Sequence, residues 1–274
     1  MGNRYIRTAA GSLLMVLAAP AVVGAEAVST PSPIHDRFAI RASYFSGSVS
    51  TDARVDDTAA GNIGTEFSFE DDFGLPDSDS QWRGEITIRL RERGKLRVDM
   101  FTLAREGAAV MTRNIDFGDE TLAAGESVNS TFDWSALNFT WTYSLLHNDR
   151  YEAGIGAGLH LIEAATSATI PVRGVRESFD GSGPFVTLAF DGVWRISPRF
   201  AFSARAQWLE LAVSEITGTL ADYHADVQFR WRPNLAIGLG YQGNRMRLDV
   251  PEENPGGLMK FKVSGLELFL RASF

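Results

Sequence analysis

The last nine residues, Leu266-Glu267-Leu268-Phe269-Leu270-Arg271-Ala272-Ser273-Phe274, constrain this chain more than any other segment. Successive side chains of a strand point to opposite faces. Leu266, Leu268, Leu270, Ala272 and Phe274 therefore share one apolar face, and Glu267, Arg271 and Ser273 fall on the other. Such a strand needs an apolar medium on one side and a polar one on the other. The chain then stops on an aromatic residue.

The same period of two recurs upstream. A first strand is predicted near 37–49, with Phe38, Ile40, Ala42 and Tyr44 outward, and a second near 81–92, with Trp82, Ile86, Ile88 and Leu90 outward. A turn at Arg93-Gly94 leads to a third strand from Lys95, and a fourth ends in Leu137, Phe139, Trp141, Tyr143 and Leu145. Six more follow, near 151–161, 186–196, 200–208, 223–231, 237–241 and 258–274. Short polar turns alternate with longer connections near 50–80, 106–131, 163–184, 214–219 and 250–257. Trp194, Phe200, Trp231 and Phe274 sit by the short turns, and Tyr44, Trp82, Trp134, Trp208 and Tyr241 lie about a membrane thickness away. This predicts an all-β, transmembrane, antiparallel up-and-down barrel of about ten strands over residues 36–274, with eight or twelve as alternatives. A soluble β-sandwich or lipocalin-like barrel is the competing fold, but it would bury its apolar face and leave the two aromatic levels without purpose.

The amino terminus agrees. Arg4 and Arg7 precede an apolar run from Leu13 to Val23, and Val23-Gly24-Ala25 offers small residues for cleavage, with Ala27 as the runner-up. Residues 1–25 read as a secretory signal peptide and 26–35 as a periplasmic leader. The chain has no cysteine, which removes disulfides, a lipid anchor and thiolate metal sites. Losing two arginines takes the formal charge from −8 to −10, a poor balance for nucleic-acid binding. No cofactor or metal motif stands out.

Several stretches together resemble a widespread group of proteobacterial outer-membrane barrel proteins of undefined function. They are Phe69-Glu70-Asp71-Asp72-Phe73-Gly74-Leu75-Pro76, Asn114-Ile115-Asp116-Phe117-Gly118-Asp119-Glu120-Thr121, Tyr143-Ser144-Leu145 and the hairpin from Tyr241 to Phe274. The resemblance covers most of the mature chain. It implies the outer membrane of a Gram-negative bacterium and names no activity. The implied partners are outer-membrane lipid, lipopolysaccharide and the barrel-assembly machinery, for which Phe274 is the expected assembly signal.

Chemistry is expected in the lumen. Inward positions carry Arg83, Glu85, Arg89, Arg97, Asp99, Asp191, Arg205, Asp226, Arg230, Glu267 and Arg271, and more widely Arg41, Arg91, Glu152 and Arg195. A barrel of about eight strands is just filled by side chains, and an aqueous channel is typical near sixteen. A mixed-charge set in ten strands therefore predicts a salt-bridge network that largely plugs the lumen, with Arg89 and Asp99 as paired charges. A narrow, low-conductance porin-like channel is the alternative. His224 and Asp226 share a face two residues apart, as an acid–base pair requires, and His160 also points inward. Some outer-membrane proteases are ten-stranded barrels with paired His and Asp, so a hydrolase using His224 and Asp226 is the second alternative, although no second acidic pair or diagnostic serine accompanies it. Gly154, Gly156, Gly158, Gly238 and Gly240 are expected to make room for arginines reaching across. The acidic first loop, with Asp52, Glu66, Glu70, Asp71 and Asp72 among others, reads as a solvated surface. The function expected is thus a non-enzymatic barrel with acidic loops.

Overall fold

The computed structural model of the protein describes residues 32–56, 63–117, 120–213, 216–250 and 256–274. The expected signal peptide and residues 26–31 of the leader lie outside the described residues. In chain order the strands are β1 (Phe38–Asp56), β2 (Phe67–Ser68), β3 (Ser78–Leu90), β4 (Gly94–Val110), β5 (Ile115–Phe117), β6 (Glu120–Leu122) and β7 (Ser127–His147). After these come β8 (Tyr151–Ile170), β9 (Val175–Arg195), β10 (Phe200–Val213), β11 (Ile216–Arg232), β12 (Leu235–Val250) and β13 (Gly256–Ser273). Apart from the short β2, β5 and β6, each strand pairs antiparallel with its chain neighbour, and β13 returns to pair with β1 from Ala39↔Ser273 to Asp56↔Gly256. The return of β13 to β1 closes a ten-stranded barrel.

Polarity is inverted relative to a water-soluble protein. Ile86, Leu239, Leu268 and Leu270 are exposed on the outer wall, and Arg41, Glu152, His224, Asp226 and Glu267 are buried inside. Alternation dictates this, because the pleat sends neighbouring residues to opposite faces. Tyr44 meets Trp82 edge-on at 5.4 Å on one outer level, and Tyr151 stacks on Trp194 at 6.2 Å on the other.

Trp134 departs from expectation. It shares parity with Leu103 and Ile162 rather than with Phe139, Trp141 and Tyr143, so it points inward, is 3% exposed, and stacks on Phe261 at 4.5 Å. It is therefore not part of the outer girdle. Arg91 also moves. It lies in the turn at 91–93 with φ +60°, exposed rather than in the lumen, and Gly94 is the first residue of β4 rather than part of the turn.

The strands are longer than the alternation suggests. β7 and β9 have 21 residues each, well beyond the roughly 9–11 that cross a membrane. Much of the expected loops near 106–131 and 163–184 is strand, because β4 runs to Val110, β7 begins at Ser127, and β8 and β9 are separated only by residues 171–174. Beyond the apolar belt, the outer face can be polar while backbone pairing continues, so the period-two signal fades before the strand does. The wall is uneven there. β9 and β10 pair only from Ala201↔Arg195 to Trp208↔Leu188, so among the described residues the stretch 175–187 of β9 has β8 on one side and no strand on the other.

Candidate functional site: the lumen

Two layers of different chemistry fill the lumen. Nearest the short turns, the chain enters beneath the barrel, burying Ile34 and bringing Asp36 to Arg230 (2.6 Å) and Arg271 (3.2 Å). Beside them, Glu152 accepts from Arg89 at 2.7 and 3.0 Å, from Lys95 at 3.1 Å and from the Ser144 hydroxyl at 2.6 Å. Lys95 also contacts Asp191. Further in, Arg41 bridges Asp226, at 2.9 Å, and Glu267, and its guanidinium lies 3.5 Å from the centre of the Phe269 ring. Arg205 bonds Glu85 at 2.6 Å, Asn138 donates to Asp99 at 2.8 Å, and Arg97 approaches Asp99 at 3.9 Å. Arginine suits this role because its fork is permanently charged and presents several fixed donors.

Partners inside the lumen differ from the expected ones in places. Arg89 pairs with Glu152 and Asp99 with Asn138 and Arg97, so Arg89 and Asp99 are not a pair. Arg83 packs between rings, 4.1 Å from the centres of both Phe45 and Phe101. The glycines relieve crowding, but not by arginines. A Cβ at Gly154 would meet Asp191 at 2.7 Å, one at Gly158 would meet Gln207 at 2.0 Å, and one at Gly238 would enter the Phe269 ring at 2.2 Å. A Cβ at Gly156 would strike the Trp141 carbonyl at 1.8 Å, and one at Gly240 would crowd Asp226 and His224 at 3.1 Å.

The histidines are engaged. Arg41 can only donate, so the 3.0 Å contact with His224 Nε2 makes that nitrogen an acceptor and leaves the ring proton on Nδ1, which faces Asp226 at 3.5 Å. A general base needs that lone pair turned toward a substrate. His160 sits in a neutral network, 3.0 Å from Gln207 and 3.2 Å from Thr187.

Toward the long-strand end the lumen becomes apolar. Phe45, Phe101, Leu103, Phe132, Trp134 and Phe261 project inward from the wall, and Phe67, Phe69 and Phe73 fold in from the first loop. Phe69 lies 5.3 Å from Phe132, and Phe67 5.0 Å from Phe73. That loop is therefore not wholly a solvated surface: Glu70 pairs with the buried Arg105, and Asp72 pairs with Arg113 at 2.9 Å. Arg105 also donates to Thr51 at 2.6 Å.

Sequence reasoning missed Lys95, Asp36 and the aromatic layer. Lys95 shares parity with Arg97 and Asp99, a signal that was within reach. Three phenylalanines within Phe67-Ser68-Phe69-Glu70-Asp71-Asp72-Phe73 were another, because a fully solvated loop gains nothing from them. Nothing in the sequence marks Asp36.

No protein-family model matches the chain, and no curated protein matches it. Among solved structures, the outer membrane protease OmpT from Escherichia coli is similar over 86% of this chain and 97% of its own, with a TM-score of 0.54 and 13% identity. The attachment invasion locus protein Ail of Yersinia pestis matches over 85% of this chain and 99% of its own, at a TM-score of 0.35 and 8% identity. The toluene transporter TodX of P. putida matches over 89% and 91%, also at 0.35 and 8%. At these identities the likeness is one of fold, and the fold is that of a bacterial outer-membrane β-barrel.

Proposed function

We propose that the protein is a non-enzymatic integral barrel of the Gram-negative outer membrane whose lumen is closed to free diffusion. One observation carries this reading: an ion-paired layer and an aromatic layer succeed each other along the lumen, so a solute passing one must still pass the other. On this reading the short turns and residues 32–36 face the periplasm, the long strands face outward toward lipopolysaccharide, and the apolar wall meets lipid. Catalysis by His224 is disfavoured by its engagement with Arg41 and its burial at 3% exposure.

The test is swelling of liposomes that carry the refolded barrel, in an iso-osmotic small sugar. The closed reading expects the swelling rate of protein-free liposomes. Rapid swelling would replace it with the channel alternative, and peptide or lipid hydrolysis abolished in His224→Ala would replace it with the hydrolase. Phe274 fits the assembly-signal role, since its side chain is exposed while its backbone amide and carbonyl pair with Phe38. Its deletion is expected to leave precursor in the periplasm, as read by fractionation, and unchanged outer-membrane levels would remove that role.

A further inference from the structure

We propose that the long-strand end of the barrel holds a binding site for a compact, uncharged hydrocarbon, reached through the cleft between β9 and β10. The site does not depend on the lumen below being closed. It is a cavity of about 380 Å³ whose walls include Phe67, Phe132, Trp134, Ile162, Phe185 and Met259. Pockets of roughly 300–1,000 Å³ lined by aromatic and aliphatic side chains suit small apolar ligands, and a benzene ring fits in about 150 Å³. The volume thus suits two fused rings or a chain of about ten carbons. A hydrocarbon there would gain dispersion contacts with the lining. Met246 and Met259 add side chains that adapt to irregular shapes.

The chain leaves this space open by its choice of residues. Gly181 and Gly183 share the inward parity of Phe185 and Thr187 on β9, and a Cβ at Gly181 would meet nothing within 4 Å. Facing Gly181 across the ladder is Ala164, another small inward residue. All three β9 positions from Gly181 to Gly183 lie in the stretch that lacks a β10 partner, and Pro184 beside them has no N–H to give a ladder. The cleft therefore opens against the wall of the cavity. Its lower limit is the Leu188↔Trp208 pair, whose side chains are both exposed on the outer wall.

Charge selects an uncharged ligand over a fatty carboxylate. Arg54 is the cation among the described lining residues, and its guanidinium already grips Asp56 at 2.8 and 3.1 Å. The remaining lining charge, Asp180, would repel a carboxylate.

The test is equilibrium binding of radiolabelled naphthalene to the full barrel in lipid nanodiscs, with empty nanodiscs as the partition baseline. The expected result is a saturable component of about one naphthalene per barrel, weakened at least ~10-fold by Gly181→Leu or Ala164→Leu, each of which puts a side chain into the cavity. Gly84→Leu, on the outer wall where a Cβ also meets nothing within 4 Å, should leave binding unchanged. Heat-modifiable gel mobility reports that each variant is folded. Absence of a saturable component overturns the proposal, as does binding that survives both cavity variants. Tighter binding of decanoate than of naphthalene would assign the site to an amphiphile and overturn the uncharged-ligand claim.

Discussion

The two halves of the lumen solve the same packing problem with opposite chemistry. Near the short turns, buried charges are tied in directional sets such as Arg41 with Asp226 and Glu267, and Lys95 with Glu152 and Asp191. Near the long strands, Phe45, Phe132, Trp134 and Phe261 form an aromatic layer in which rings stack, with loop phenylalanines packed on them. The first arrangement is brittle, because removing a shared cation such as Arg41 leaves buried carboxylates without it in a poorly solvated interior. The second is graded, since truncating one ring forfeits its own buried area, opens a cavity and leaves no orphaned charge. The ion-paired layer is thus the brittle one.

Breaking that contrast is most direct at Arg41. Arg41→Ala leaves Asp226 and Glu267 buried without their cation and should lower unfolding stability by about 3–5 kcal/mol, measured by urea titration in detergent. Adding Asp226→Asn and Glu267→Gln should recover much of the stability. A single variant within about 1 kcal/mol of wild type, on the scale of a surface ion pair, would mean that the lower layer is solvated and not brittle.

In the upper layer, Phe132→Ala should cost about 3 kcal/mol, the low end for a buried aromatic, because the cavity beside it already withholds contacts. No companion substitution should rescue it. A destabilisation as large as that of Arg41→Ala, relieved by a second change in a charged neighbour, would erase the distinction between the layers.

How much of the structure is legible in the sequence follows from the medium each residue faces. Where the outer wall is apolar, alternation is strict, and the outward set at Trp82, Ile86 and Ile88 or at Leu266, Leu268 and Leu270 can be read directly. Inward charges follow by parity. Beyond the apolar belt the outer face turns polar, so the extensions of β7, β8 and β9 read as loops. Partners across the lumen are not legible at all, because Arg41 and Asp226 are separated by 185 residues and brought together only by closure. Height alone misplaces Trp134, and parity with Leu103 and Ile162 places it. The first loop reads as solvated from its acidic residues, yet its three phenylalanines decide where it goes.

The smallest expected effect sharpens the comparison outside the membrane-crossing part. Lys260 donates a hydrogen bond to Glu66 that holds its carboxyl below the ordinary value of 4.5. A folded-state value below the unfolded one stabilises above about pH 4.5, and the contribution fades as pH falls through the folded value. Both side chains are substantially exposed, so the contribution is well under ~1 kcal/mol. Glu66→Gln should slightly flatten the stability difference between about pH 7 and about pH 3. A flattening of several kcal/mol would make this rim pair as brittle as the lower layer.

The central claim is that the paired charges and the aromatic layer together close the lumen. Single-channel recording of the refolded wild-type barrel in a planar lipid bilayer tests it most directly. The account predicts a baseline without steady openings, and steps that emerge when the lower layer is opened by Arg205→Ala with Glu85→Ala and the upper by Trp134→Ala. A large, steady conductance from the unmodified protein would contradict it.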